Sequence, residues 1–485
     1  LHSHDIGVIG GGVAGLTAAV LLAREGANVT LYEHHNVAGG CASFYQRDGF
    51  RFEVGATVAS GFAAGGIHGR VFRALGIDLE AQRLDPAMAV HIAGETILRF
   101  GDGRWPIERV RAFGASGEAF WTRQERIADA AWEFARTLPA LPTDARSALH
   151  MLASLRPRQF GLPLLQGRTV ASIIPPNVSP LLRTFVDLQL LITAQGVANE
   201  VDLTYGSTAL DIAREGVFHL RGGIGTIATT LARALRHAGG TIRYGTSVAR
   251  IIAPHGRVEG LELENGERVA TSQVVAAIPY ENVRRLLGLP TAKNVGGGQR
   301  WSAVTAYAGT APGDVPADAI SHHQVLLDAA QPLGEANSVF VSISAPDDPA
   351  RARNGGRAIT LSTHTDVAGW ERAAADGTLA QKKDAYAAKL QAALSVALGK
   401  ETRPVFFELG VPATFERFTL RARGLVGGVP QTPRNANLRA RSHRSGVRGL
   451  VLCGDTVFPG QSTVGVTLSG INAARALGAE VALPA

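Results

Sequence analysis

Gly10-Gly11-Gly12-Val13-Ala14-Gly15 carries glycines at the spacing G-x-G-x-x-G, and an acid, Glu33, closes the next apolar run. Those residue types in that order bind a dinucleotide. Gly10 permits a tight turn, Gly12 lets backbone approach a pyrophosphate, and Gly15 lets a helix pack on a strand. Val13 and Ala14 lie inside the motif, just ahead of that helix, whose unpaired N–H groups attract the phosphates. The Glu33 carboxylate can accept hydrogen bonds from a ribose. Near the other end of the chain, Gly454-Asp455 follows a short apolar run and precedes a loop. No His/Asp/Glu constellation for a general base stands out. Cys41 and Cys453 are the only cysteines, and no metal-ligand spacing occurs.

The elements that must hold these residues are legible around them. Asp5 to Ile9 fits a buried strand, Leu16 to Arg24 a helix stopping near Gly26, and Ala27 to Tyr32 a second strand. The apolar run Gly7 to Ala23 has 17 residues and ends at Arg24-Glu25-Gly26. A membrane span needs about 20. The flank Leu1-His2-Ser3-His4-Asp5 lacks the basic region of a signal peptide. The run is therefore expected to be a buried βαβ unit. Gly449 to Cys453 reads as another buried strand, with a helix from about Val464. His219 to Ile251 gives a glycine turn, a helix and a strand. Gly256 to Pro279 gives a hairpin with Asn265-Gly266 at its turn, then a return strand. The apolar helix Leu181 to Val197 could bury core, line a lipid channel or dip into a membrane.

At 485 residues the chain is expected to form two or three lobes around a large core. It is 46% hydrophobic and carries a formal charge of +7, with arginine in excess. Arginines cluster in Leu155 to Gln159 and from Arg417 to Arg448. Such a balance suits an anionic membrane surface or solvated faces. No helix-turn-helix, zinc-finger or aromatic-sheet signature of nucleic-acid binding occurs. The sparse cysteines suit the cytoplasm. His34-His35 reads as turn surface.

Six positions after Glu33 stands Gly39-Gly40. This E-x5-G-G extension resembles the amine-oxidase and phytoene-desaturase superfamily of FAD enzymes. The resemblance implies an α/β fold: a Rossmann-like FAD-binding domain with an α+β substrate-binding lobe. It implies that Gly39, Gly40, Cys41 and Ala42 wrap the phosphates and ribityl chain, and that Val248 meets adenine through its backbone. Asp455 with Gly454 would hold the ribityl or phosphate region. Ala56, Thr57, Thr463 and Val464 would neighbour the flavin ring. Cys41 departs from the Arg or Lys that many relatives place after the glycine pair. The implied cofactor domain is discontinuous, residues 1–61, 219–284 and 416–485, and residues 62–218 and 285–415 form the substrate lobe.

"GGCASFYQRDGFRFEVGATVASGF", "ATFERFTLRARGLVGGVPQT" and "GDTVFPGQSTVGVTLSG" are more specific. They resemble bacterial carotenoid 3,4-desaturases, kin of carotenoid isomerases and phytoene desaturases. "GD-x-x-FPGQ" is shared by the desaturase and isomerase branches. "GGCASF" and "GLVGGVPQT" favour the desaturases. The resemblance implies FAD-dependent removal of hydrogen from a long acyclic carotenoid, usually hydroxylated at the adjacent end. A peripheral place on the cytoplasmic membrane surface is expected with it. Three alternatives stay open: a redox-neutral cis-trans isomerase using reduced FAD, another lipid or amine flavin oxidoreductase, and a non-catalytic carotenoid carrier. The catalytic base, the electron acceptor and the oligomeric state are not readable.

Overall fold

Two sheets organise the chain. The computed structural model describes residues 5–290, 299–353 and 355–484, so the Leu1 to His4 flank lies outside the described residues. The first sheet has five parallel strands in the order Thr241–Arg243, Asn28–Tyr32, Asp5–Ile9, Gln273–Ala276 and Leu450–Leu452. The chain leaves this sheet for long stretches between Tyr32 and Thr241 and between Ala276 and Leu450, and must build something substantial in each.

The apolar run at the N-terminus is enclosed by protein. Helix Val13–Arg24 begins three residues before the Leu16 expected from sequence, with Gly12 as its N-cap, and every residue from Val13 to Ala23 is buried. A helix apolar on all sides needs partners on all sides. Helices Gly225–His237 and Thr463–Ala476 pack against it, the strands beneath complete the enclosure, and Gly470 makes the second contact close. A Cβ on Gly470 would overlap the Ala14 carbonyl oxygen.

The second sheet has seven strands, ordered Phe406–Gly410, Ser302–Gly309, Ala358–Thr365, Ser338–Ile343, His322–Leu326, Met88–Ile92 and Glu95–Arg99. Its neighbours pair antiparallel except His322–Leu326 with Met88–Ile92. Side chains alternate between faces with period two. Val304, Ala306 and Ala308 therefore join a core with Leu390 and Leu394 of helix Leu379–Leu398. Ala303, Thr305 and Tyr307 face the other way.

Helix Pro180–Ala194 is mainly core: Leu182, Phe185, Val186 and Leu188 to Leu191 are buried. It ends earlier than the Val197 expected from sequence. Gln195, at its C-cap, takes a left-handed conformation with φ +63°. The expected hairpin forms between Gly260–Leu263 and Arg268–Ala270, with Gly266 at φ +85°. No helix among the described residues is long and apolar enough to cross a membrane.

Candidate active site

A cavity of about 1000 Å³ runs from the N-terminal glycine turn to the seven-stranded sheet, and its walls are mostly apolar. Gly10 sits at φ +99°, where a side chain would also press on the Ala277 carbonyl. A Cβ on Gly15 would overlap the Gly10 carbonyl oxygen and crowd Ala277, so Gly15 serves helix–strand packing and does not line the cavity. Gly12 is different. It lines the cavity, and nothing lies within 4 Å of where its Cβ would be. Its backbone is open to a ligand.

The second glycine pair stands against this turn. Gly39 N–H donates to the Gly11 carbonyl at 2.8 Å, and Gly12 and Gly39 form a parallel bridge. Gly39 at φ +127° and Gly40 at φ +55° need glycine's freedom. Cys41 and Ala42 continue the wall, with Ala56 and Thr57 beside them. Glu33 lines the cavity next to the turn, and its carboxylate accepts from Gly11 N–H at 2.7 Å and His35 N–H at 2.8 Å. His35 also lines the cavity, its ring 5.6 Å from that of Phe418.

Val13, Ala14, Gly454, Asp455, Thr463 and Val464 complete the set of expected residues on the wall. Val248 is not on it. That residue begins strand Val248–Ile252, where it pairs with Leu263. The preceding Gly245 and Thr246 donate to the carbonyls of His35 and Glu33, which places Val248 beyond the Glu33 end of the cavity. Helix Thr463–Ala476 starts at the wall. Ser462 Oγ caps it by accepting from Gly465 N–H at 2.9 Å, and the positive end of the helix dipole meets the cavity.

Several site residues carried no assignment from sequence. Arg421 donates to Asp455 and to the Leu425 carbonyl, and it acts electrostatically on Cys41. A guanidinium from a distant segment thus supplies positive charge beside Cys41, directly after the glycine pair. Burial pushes the Cys41 thiol up from its ordinary value, so it stays protonated. His68 holds the final helix from behind. Its Nδ1 lies 2.6 Å from the Ser60 carbonyl and its Nε2 3.0 Å from Thr467 Oγ1, and burial lowers it to about 4.

The far wall is one row across the second sheet. Gly410, Thr305, Ser362, Phe340 and Gln324 are successive cross-strand partners, and all line the cavity. Beyond them the walls turn apolar, through Met88 and Ile192 to Met151, Leu152, Leu155 and Leu162. A chamber of this kind can hold a dinucleotide at one end and a long apolar molecule at the other.

A sequence profile of flavin containing amine oxidoreductases matches residues 13–478. The chain belongs to that family. Its cofactor is FAD, and it is an FAD-dependent oxidoreductase. The glycine wall, with no Cβ to fill it at Gly12, and the Glu33 carboxylate beside it fit that group. Among solved structures, this flavin-family chain resembles an oxidoreductase from Methanosarcina mazei with TM-score 0.63 and 15% identity, covering 96% of this chain and 99% of that one. It also resembles putrescine oxidase bound to putrescine, with TM-score 0.61 and 16% identity, covering 98% and 99%.

Sequence relatives within the family are named for carotenoids. A chloroplastic prolycopene isomerase of Arabidopsis thaliana is 27% identical over 513 residues, 99% of this chain and 83% of that protein. A carotenoid 3,4-desaturase of Haloarcula japonica is 26% identical over 368 residues, 72% and 71%. A hydroxyneurosporene desaturase of Rhodobacter capsulatus is 28% identical over 275 residues, 54% and 53%. These relatives place the chain in the carotenoid desaturase and isomerase group, and identity alone does not separate the two branches.

Proposed function

We propose that this oxidoreductase desaturates an acyclic carotenoid, hydroxylated near one end, at the adjacent 3,4 bond. The observation that carries the reading is a single cavity joining a dinucleotide-binding wall to an apolar chamber. FAD, when bound, supplies a two-electron acceptor. Gly10, Gly12, Val13, Ala14 and Glu33 hold its adenosine and pyrophosphate, with Val248 near the adenine. Gly39 to Ala42, Gly454 and Asp455 hold the middle of the molecule, and Ala56, Thr57, Thr463 and Val464 border the ring. Gly15 contributes by packing. The sheet row from Gly410 to Gln324 presents the far wall, and the apolar walls exclude water and align an extended substrate. The substrate lobe is assigned to residues 62–218 and 285–415, and the cofactor domain to the remainder.

The substrate would be drawn from a bilayer, with the protein held peripherally on its cytoplasmic face. Leu149, Leu152, Phe160 and Leu164 are 69%, 52%, 59% and 82% exposed, and Leu152, with Leu155 and Leu162 of the same segment, also lines the cavity. Exposed Arg146, Arg158 and Arg168 lie in the same segment. Apolar side chains among arginines fit an anionic interface.

Cis-trans isomerisation is the second reading, favoured by a relative matching 99% of the chain. Purified protein with FAD, liposomes and a hydroxylated acyclic carotenoid separates the two. Product lighter by two hydrogens and red-shifted supports desaturation, whereas unchanged mass with altered absorbance supports isomerisation.

A further inference from the structure

One polar cluster on the cavity wall is only partly satisfied by protein. Gln195 Nε2 lies 3.0 Å from His364 Nε2, and both residues line the cavity. Gln195 is 4% exposed, yet that contact is the one side-chain hydrogen bond it makes among the described residues. Whichever way the amide points, its other polar end has no protein partner. Gln195 lines the cavity, so a bound molecule there is within its reach. His364 is in the same position: burial lowers it to about 4, so the ring is neutral at pH 7, and its Nδ1 has no hydrogen-bond partner among the described residues. The wall also includes Gln461, 7% exposed, whose Oε1 is buried without a partner.

The placement is built into the backbone. Gln195 occupies the left-handed region at φ +63°, a conformation that is uncommon and unfavourable for a non-glycine residue. Gly427, at φ +71°, stands between the two amides. A Cβ there would collide with Gln195 Nε2 and lie 2.9 Å from Gln461 Oε1. The Gln461 carbonyl accepts from Tyr205 Oη at 3.3 Å, fixing the loop two residues before Thr463. Four separate segments therefore bring polar groups to one spot beside the start of the final helix. A buried polar group without a partner is costly, and a hydroxyl, with one donor and two acceptor sites, would relieve it.

Resting on the carotenoid reading above, we propose that Gln195 and His364, with Gln461 beside them, bind the hydroxyl of the substrate and so select an oxygenated chain end. This places the reacting bond near that end, because Gln461 lies so close in sequence to Thr463 at the proposed ring site. A hydrocarbon polyene reacting at its middle would leave the same groups unpaired. A site that hydrogen-bonds an alcohol rejects the analogue lacking it far more strongly than an apolar pocket can discriminate.

The test titrates FAD-loaded protein with two acyclic polyenes of equal length, one bearing a terminal tertiary alcohol and one with hydrogen in its place. Binding is read from perturbation of the flavin absorbance. The unmodified protein is expected to bind the alcohol at least about 10-fold more tightly. Gln195→Leu and His364→Phe should bring the ratio within about 3-fold while hydrocarbon affinity changes little. Gln195→Glu, which keeps a polar end at the same reach, should retain the preference. Equal binding of both polyenes by the unmodified protein would overturn the inference, leaving ordered water as the occupant. So would a preference that survives both apolar variants. If neither polyene binds, the carotenoid reading itself falls and this inference falls with it.

Discussion

Arg421 donates a hydrogen bond to Asp455 within the cavity wall, and the two side chains are 13% and 18% exposed. Such a pair is worth little against an apolar substitute, but removing one partner strands the other. Arg421→Met should destabilise the protein by about 3 kcal/mol and lower FAD content. The double variant Arg421→Met, Asp455→Asn should recover more than half of that loss, since the stranded charge is gone. Urea unfolding of both proteins checks this, and equal loss in the two would contradict it.

Gly12 and Gly15 should fail in different ways. Gly12→Ala points a methyl into open space where a pyrophosphate is expected, so FAD affinity should drop by about 10-fold or more with apo stability unchanged. Gly15→Ala drives a methyl into the Gly10 carbonyl and Ala277. Overpacking of that kind costs about 1–3 kcal/mol, so the melting temperature should fall before cofactor is added. Thermal melts with and without FAD separate the two outcomes.

Acid should destabilise the fold through its buried imidazoles. His68 titrates near 6.5 when unfolded and at about 4 when folded, because burial disfavours its charged form. The unfolded chain therefore binds the proton first as pH falls. Stability is intact above about 6.5 and is lost progressively towards 4, by about 3 kcal/mol from this residue. His364 and His323, lowered to about 4, and His322, to about 3, act in the same direction. Unfolding free energy measured between pH 7 and 4 should show the slope, and His68→Gln should flatten it.

Membrane capture should depend on the segment around Leu149 to Leu164. Replacing Leu149, Leu152, Phe160 and Leu164 by Ser should cut flotation with anionic liposomes by about 10-fold or more, as each buried side chain contributes roughly 1.5–3 kcal/mol. FAD content should not change. Undiminished flotation would place the interface elsewhere.

Much of the dinucleotide half was legible because its signals are local. The glycine turn, the apolar strands and Glu33 lie within 33 residues, and Asn265-Gly266 marks its own turn. The far wall was not. Thr305, Ser362 and Phe340 meet only through strand register, which ordinary alternation leaves open. Arg421 stood in a recognised stretch, "FTLRARG", but its pairing with Asp455 joins positions 34 residues apart. Gln195 and His364 are separated by 169 residues, and nothing local marks either as part of a site. Helix boundaries moved for physical reasons: Gly12 caps earlier than the alanine-rich run suggests, and Gln195 turns left-handed before Val197.

The central claim is that hydrogen leaves the polyene for the bound flavin. The most direct measurement mixes oxidised FAD-loaded protein with the hydroxylated carotenoid under strict anaerobiosis, with no other acceptor present. Flavin absorbance and product mass are followed together. Desaturation predicts bleaching of the flavin, with one molecule reduced for each double bond formed. Product of unchanged mass, appearing only when the flavin has been reduced beforehand, would contradict it and make the protein an isomerase.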